Sequence, residues 1–263
     1  MRIATWNVNS IRQRIDNLVA WLKERQPDIV CLQETKTTDE TFPREPLEQL
    51  GYNLAIHGQK TFNGVAILSK FPFDEVTPRL PGDDTDDHAR FIEATFSTAR
   101  GTLRVASIYL PNGNPVQSEK YPYKMKWMDR LADYASERLK LEEDLVLAGD
   151  YNVIPAPEDV YDPKGWIEDA LFRPQTREKF REITNLGLTE AIRASSDEAG
   201  LYTFWDYQAG CWPKNHGLRI DHVLLSPRAA DTLTGVGIDK HVRSWEKPSD
   251  HVPVYVDLAI SRA

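Results

Sequence analysis

Five apolar runs in this chain begin or end in clusters of acids, amides or a histidine. Ile3-Ala4-Thr5-Trp6 leads into Asn7-Val8-Asn9, and Ile29-Val30-Cys31-Leu32 leads into Gln33-Glu34-Thr35-Lys36. Leu145-Val146-Leu147-Ala148 leads into Gly149-Asp150-Tyr151-Asn152. Asp221-His222 opens Val223-Leu224-Leu225, and Ser249-Asp250-His251 opens Val252-Pro253-Val254-Tyr255-Val256. Polar groups set where buried strands surface are how a rigid scaffold builds a site. Carboxylates and amides with one histidine suit a hard divalent cation and phosphate chemistry.

Each of these residues has an ordinary reading that its company must outweigh. A strand-end glutamate is usually just solvated, yet Glu34 stands with Asn7, Asp150 and Asp250. Magnesium takes one or two carboxylates plus water and substrate phosphate, so Glu34 is the leading metal ligand, with Asn7 beside it and Asp250 close or one shell out. Asp150 and Asn152 are two apart; in an extended segment they would point the same way and hold one water between them. The plainer reading is an Asx-turn ending a strand. His251 follows Asp250, and Asp221 opens another strand. An acid beside a histidine fixes its tautomer and favours imidazolium, which can neutralise a phosphate oxygen in a transition state. Tyr109 ends a run before Pro111-Asn112-Gly113-Asn114 and could donate to a phosphate oxygen, although such a tyrosine is more often core. Arg12, Lys36, Lys60, Lys124, Lys214 and Arg219 are candidate phosphate-backbone contacts, each by itself an ordinary surface charge. His57, His88, His216, His222 and His241 lack comparable company and read as structural.

The elements that must position these groups alternate along the chain. Ile11, Ile15, Leu18, Val19 and Leu22 mark one face of a helix over Ser10–Arg25, with Ser10 as N-cap and Pro27 as its stop. A second helix fits Ser118–Lys140 and a short one Arg177–Leu186. Strands are expected near 29–33, 52–57, 64–69, 91–96, 103–109, 144–149, 220–225, 237–240 and 252–260. Several are apolar throughout, as in sheets covered on both faces. The class is therefore α/β, sheets flanked by helices. The acidic stretch Pro81–Asp87 reads as a solvated loop, and Tyr151–Pro174 as a long surface loop of the kind that is often functional.

Composition sets the outer bounds. At 263 residues, 41% of them hydrophobic and 10% aromatic, the chain can bury a sizeable core. A net charge of −8 argues mildly against non-specific nucleic-acid binding, but a basic face can sit on an acidic body. The two cysteines, Cys31 and Cys211, form no CxxC pair, so neither a zinc cluster nor a disulfide framework is indicated. Neither a signal peptide nor a spanning segment is evident. The expectation is a soluble, cytoplasmic protein with no membrane contact.

At this point the motifs converge on a known family. Thr5-Trp6-Asn7-Val8-Asn9, Leu32-Gln33-Glu34-Thr35-Lys36, Gly64-Val65-Ala66-Ile67-Leu68-Ser69, Tyr109-Leu110-Pro111-Asn112, Gly149-Asp150-Tyr151-Asn152, Gly217-Leu218-Arg219-Ile220-Asp221 and Ser249-Asp250-His251 run from end to end. In order and spacing the chain resembles exonuclease III and the related abasic-site endonucleases of the endonuclease/exonuclease/phosphatase fold. The resemblance implies one domain over residues 1–263, a four-layer α/β sandwich of two packed β-sheets flanked by helices, with every motif at one rim. It implies Mg²⁺, with Mn²⁺ as the alternative ion. Glu34 looks like the principal ligand, with Asn7 and Asn9 in the metal shell and Asp250 the outer acid. Asp150 looks like the group activating water, supported by Asn152. Tyr109 and His251 look like phosphate contacts, Asp221 the partner of His251. Phe204, Leu218 and Ile220 resemble the wall of a pocket for an abasic sugar. Arg12, Lys36, Asn112 and Trp212 are expected on DNA, with Trp212 exposed as a wedge for a base stack. The expected partner is double-stranded DNA with abasic sites or 3′ ends, bound by a monomer. Two departures matter. Asn9 stands where some relatives carry Asp, and bulky Trp166 could obstruct an internal lesion while sparing a 3′ end. A phosphatase or lipid phosphodiesterase on the same fold, a 3′-end specialist, and a catalytically silent nucleic-acid-binding regulator are the competing readings.

Overall fold

Side-chain alternation sends each strand into two different cores. In Arg2–Asn7, Ile3 faces one layer while Ala4 and Trp6 face another. In Ile29–Gln33, Ile29 and Cys31 oppose Val30 and Leu32 in the same way. Both faces are covered, so these strands read as unbroken apolar runs.

The computed structural model describes all 263 residues. Its strands are β1 (Arg2–Asn7), β2 (Ile29–Gln33), β3 (Asn53–His57), β4 (Val65–Ser69), β5 (Glu75–Pro78), β6 (Phe91–Thr98), β7 (Gly101–Tyr109), β8 (Asp144–Asp150), β9 (Thr189–Glu190), β10 (Asp221–Leu225), β11 (Leu233–Ile238) and β12 (Val254–Leu258). They form two six-stranded sheets, in the orders β11-β12-β1-β2-β4-β3 and β5-β6-β7-β8-β10-β9. Between the sheets lies a layer of 22 buried side chains, among them Ile29, Cys31, Ile67, Val105, Val146 and Ala148. Burying one such aliphatic side chain is worth about 1.5–3 kcal/mol, so a slip of one sheet over the other would be costly. The helix Ile15–Arg25 covers the first sheet through Leu18, Trp21 and Leu22. The helices Lys120–Leu139 and Pro174–Thr184 cover the second through Trp127, Met128, Leu131, Phe180 and Ile183. The four-layer sandwich expected from the motifs is the fold observed.

Several local expectations are corrected. Ser10 is not the first helix's cap: residues 10–14 form turns, Ser10 has φ +80°, and the helix starts at Ile15 without a side-chain cap. The strand expected at 237–240 lies at Leu233–Ile238, where glycines blur the pattern. Tyr151–Pro174 is more than a surface loop, because Ile154, Val160, Ala170, Leu171 and Phe172 bury into a separate cluster with Leu218 and Ile220. In the acidic stretch Pro81–Asp87, Asp86 is tied to Arg130 at 2.8 Å, with both side chains only 8% exposed.

At one end of the inter-sheet layer the apolar residues stop and polar ones begin. Gln33 Nε2 donates to Thr5 Oγ1 at 3.0 Å and, across to the other sheet, to Ser107 Oγ at 3.1 Å. Ser107 Oγ donates in turn to the Leu32 carbonyl at 2.9 Å. This polar tie pins the two sheets just below the rim that carries the motifs.

Candidate active site

Register places the acids side by side. Asp150 pairs with Tyr109 in the parallel β7–β8 ladder and with Asp221 in the antiparallel β8–β10 ladder. Val105, Val146, Ala148 and Val223 on these strands face the inter-sheet layer, and period-two alternation carries Tyr109, Asp150 and Asp221 onto the same face. On the first sheet Asn7 pairs with Gln33, and Glu34 follows at once. Gly149 is needed for this closeness: a Cβ there would lie 2.0 Å from the Ile108 carbonyl oxygen. Past the strand ends, Asn9 (φ +42°), Glu34 (+51°), Lys36 (+55°) and Asn152 (+46°) adopt left-handed backbone that non-glycine residues visit rarely. Such strain collects at functional sites; here it turns each chain segment sharply at the rim.

Hydrogen bonds then fix the groups. His251 Nδ1 contacts Asp221 Oδ2 at 2.8 Å, and Thr203 Oγ1 donates to that same oxygen at 2.6 Å. His251 Nε2 lies 3.6 Å from Asp150 Oδ2. Asn152 N–H donates to Asp150 Oδ1 at 3.0 Å, while its side-chain amide donates to the Leu110 carbonyl at 2.8 Å. The left-handed turn at Asn152 replaces the extended geometry expected there, and both side chains still line the same cleft. Asn7 Nδ2 donates to both Glu34 Oε2 and Asp150 Oδ2, and its Oδ1 accepts the Asn9 N–H at 3.0 Å. Asn7 thus holds two carboxylates with its donor end, while its oxygen accepts from the backbone. Asn9 Oδ1 accepts from Lys36 Nζ at 2.7 Å, and its amide lies 3.4 Å from Asp250 Oδ1.

Glu34, Tyr109, Asp150, Asn152, Asp250 and His251 line one cleft of about 350 Å³, with Asp221 and Asn7 supporting it from behind. Glu34, Tyr109, Asp150, Asp250 and His251 make its polar end; Phe204, Leu218, Ile220, Leu171 and Trp166 make an apolar wall. Burial pushes the Asp150 carboxyl up to about 7, with Asp221 and Glu34 adding to the rise and His251 and Asn7 opposing it. Burial disfavours charge on His251, but the carboxylates of Asp221 and Asp150 outweigh it and hold the ring well above its usual value, as imidazolium. Burial and the Glu34 charge keep the Tyr109 phenol protonated. One cleft thus holds a poised base, a fixed cation and a phenolic donor.

Could it hold a metal ion? Oxygen or nitrogen atoms of Glu34, Asp150 and His251 lie within 4.8 Å of one another. His251 already directs Nδ1 at Asp221, which leaves Glu34 as the carboxylate best placed to hold a hard cation that retains much of its water, with Asp150 beside it.

Other expected residues are placed differently. Asn112 is exposed at the cleft, and Arg12 is exposed beside Arg14, Tyr207 and Lys247 in a neighbouring groove. Trp212 is no free wedge: it packs edge-on against Trp205 at 4.9 Å, with Lys240 and Arg243 over its ring. Arg219 is buried, bound to Asp159 at 2.7 Å and Glu190 at 3.0 Å, so it cannot meet a DNA backbone. Lys124 is also buried and donates to the carbonyls of Asn112 and Asn152, joining the two loops that flank the cleft. Thr203, the second partner of Asp221, had no signal in the sequence beyond its place in an aromatic run.

A four-layer sandwich with an acid–histidine row at its rim defines a phosphoesterase class, and the chain belongs to it: the Endonuclease/Exonuclease/phosphatase family matches residues 4–251. Within that family the chain is 34% identical to exodeoxyribonuclease III of Haemophilus influenzae, covering 98% of this chain and all of that one. It superposes on an AP endonuclease from Archaeoglobus fulgidus with a TM-score of 0.92 and 36% identity, covering 98% of this chain and 99% of that one. A 3′ phosphatase from Neisseria, solved with a product DNA hairpin, gives a TM-score of 0.94 and 38% identity over the same shares.

Proposed function

We propose that this chain is a metal-dependent DNA repair nuclease of the exodeoxyribonuclease III type, hydrolysing phosphodiesters at abasic sites and at DNA 3′ ends. The observation that carries the reading is the row Tyr109–Asp150–Asp221, completed by His251 and facing Glu34 across one cleft. Relatives named as exodeoxyribonuclease III, AP endonuclease and 3′ phosphatase support the substrate class. The acidic body still has a basic groove beside the cleft. Arg12, Arg14 and Lys247 line it with Tyr207, whose hydroxyl meets Asn9 at 3.2 Å, and it suits a phosphate backbone.

Asp150 takes a proton from water as its oxygen attacks phosphorus in line. His251 Nε2–H and the Tyr109 hydroxyl donate to the non-bridging oxygens, where charge builds up. The bond to the 3′ oxygen breaks, and that oxygen takes a proton from solvent, leaving a 3′ hydroxyl and a 5′ phosphate. Glu34 would hold Mg²⁺, or Mn²⁺ in its place, which would supply Lewis acidity to the reacting phosphoryl group. Asp250 would add negative charge beside that ion, Asn9 would lie in its shell, and Lys36 would offset the charge. Phe204, Leu218 and Ile220 receive the sugar. The enzyme acts as a cytoplasmic monomer.

One end-labelled duplex with a single internal abasic site, tested with Mg²⁺ and with EDTA, decides the reading. Metal-dependent incision 5′ to the lesion is expected. Trp166 on the cleft wall favours one narrower outcome, in which only the 3′ end is trimmed. Cleavage of neither kind would leave a binding protein. Replacing Glu34 with glutamine should raise the Mg²⁺ concentration for half-maximal rate by about 10- to 100-fold, the range seen when metal-supporting groups are lost. An unchanged Mg²⁺ titration would remove Glu34 from the metal site.

A further inference from the structure

Beyond the cleft wall lies a second compartment of about 240 Å³, lined by Tyr161, His216, Gln208 and Cys211. It shares Trp166, Phe204, Asp206 and Leu218 with the catalytic cleft, so the two spaces lie on either side of one wall. The Tyr161 and His216 rings stack parallel, 4.3 Å apart with a 2° interplanar angle, and Trp166 meets Tyr161 edge-on at 6.3 Å. Tyr161 remains 37% exposed. The wall is preformed. Tyr161 N–H donates to the Gly217 carbonyl at 3.2 Å, Val160 bridges Leu218, and the buried Asp159–Arg219 pair anchors the turn just before.

We propose that this compartment receives the nucleobase of a 3′-terminal nucleotide as that nucleotide is released. The proposal rests on the nuclease reading above. A sugar seated against Phe204 and Leu218 carries its base one glycosidic bond away, and the shared wall is where the second space opens. Aromatic side chains bind any base through its π-face without selecting sequence, while Asp206 and Gln208 set polar groups at the rim. An abasic residue or a terminal phosphate leaves the compartment empty. One reaction centre can therefore treat whole nucleotides and baseless ends differently, according to whether this space is filled.

The test compares two duplexes alike except that one ends in an ordinary 3′ nucleotide and the other in a 3′ phosphate. In Tyr161→Ala, kcat/KM for nucleotide release should fall at least tenfold further than for phosphate removal, and Tyr161→Phe should restore the ratio. A 2-aminopurine at the 3′ terminus gives a second readout in EDTA: its fluorescence should be quenched on binding the wild type and less so with Tyr161→Ala. Equal losses on both ends would mean that Tyr161 only supports the fold, and no loss on either end would mean that the base lies elsewhere; either overturns the proposal alone. Hydrolysis of neither end by the wild type would overturn the nuclease reading and this proposal with it.

Discussion

Replacing Asp150 with asparagine should lower the rate of phosphodiester hydrolysis by about a thousandfold, the middle of the range for losing a positioned general base. The change is isosteric, and Asn152 N–H still finds an acceptor oxygen. Removing a buried carboxylate also removes its desolvation cost, so the melting temperature should move little. The pH profile identifies the role. Burial has pushed this carboxyl up to about 7. Below that pH it keeps its proton and cannot accept another, so the rate rises with pH and then levels. A cation at Glu34 pulls the transition lower, placing the acid limb at or below pH 7. In Asp150→Asn the residual rate should lack that limb. A variant that retained both the rate and the limb would place the base elsewhere.

His251→Gln should cost about 100- to 1000-fold, the range for removing one preorganised donor to developing charge. Glutamine can still present an N–H near the Nε2 position, but it brings no positive charge. It also leaves Asp221 buried with only Thr203 as partner. Breaking a buried pair from one side costs about 3–5 kcal/mol, so this variant should also melt earlier. His251→Gln combined with Asp221→Asn separates the two effects, since the stranded charge is gone. Stability should recover and the rate should not. Recovery of both would mean that His251 serves the fold and not the reaction.

The rim residues were legible because two sequence patterns agree there. Alternation identifies the face of β1, β2, β8 and β10, and the change from apolar to polar marks where that face leaves the core. Asn7, Glu34, Asp150 and Asp221 all lie at that change. Residues whose place depends on distant packing were not legible. Lys124 and Arg219 look like surface cations until the loops around them close. Trp212 looks like a wedge until Trp205, Lys240 and Arg243 are found around it. That Asn7 ties Glu34 to Asp150 depends on which end of its amide faces the acids, which the Asn9 N–H fixes. The edge strand β5 is exposed along its whole length and carries no burial pattern to read.

The second sheet is drawn from one continuous stretch, Glu75 to Leu225, whereas β1 of the first lies between β2 and β12, from opposite ends of the chain. During synthesis the second sheet can form while β1 still waits for its last neighbour. His251 emerges only three residues ahead of β12. A ribosome stalled between Asp150 and His251 carries a chain with the proposed base but no imidazolium and no closed first sheet. The complete site therefore arrives in a single late step, with the strand that completes the fold.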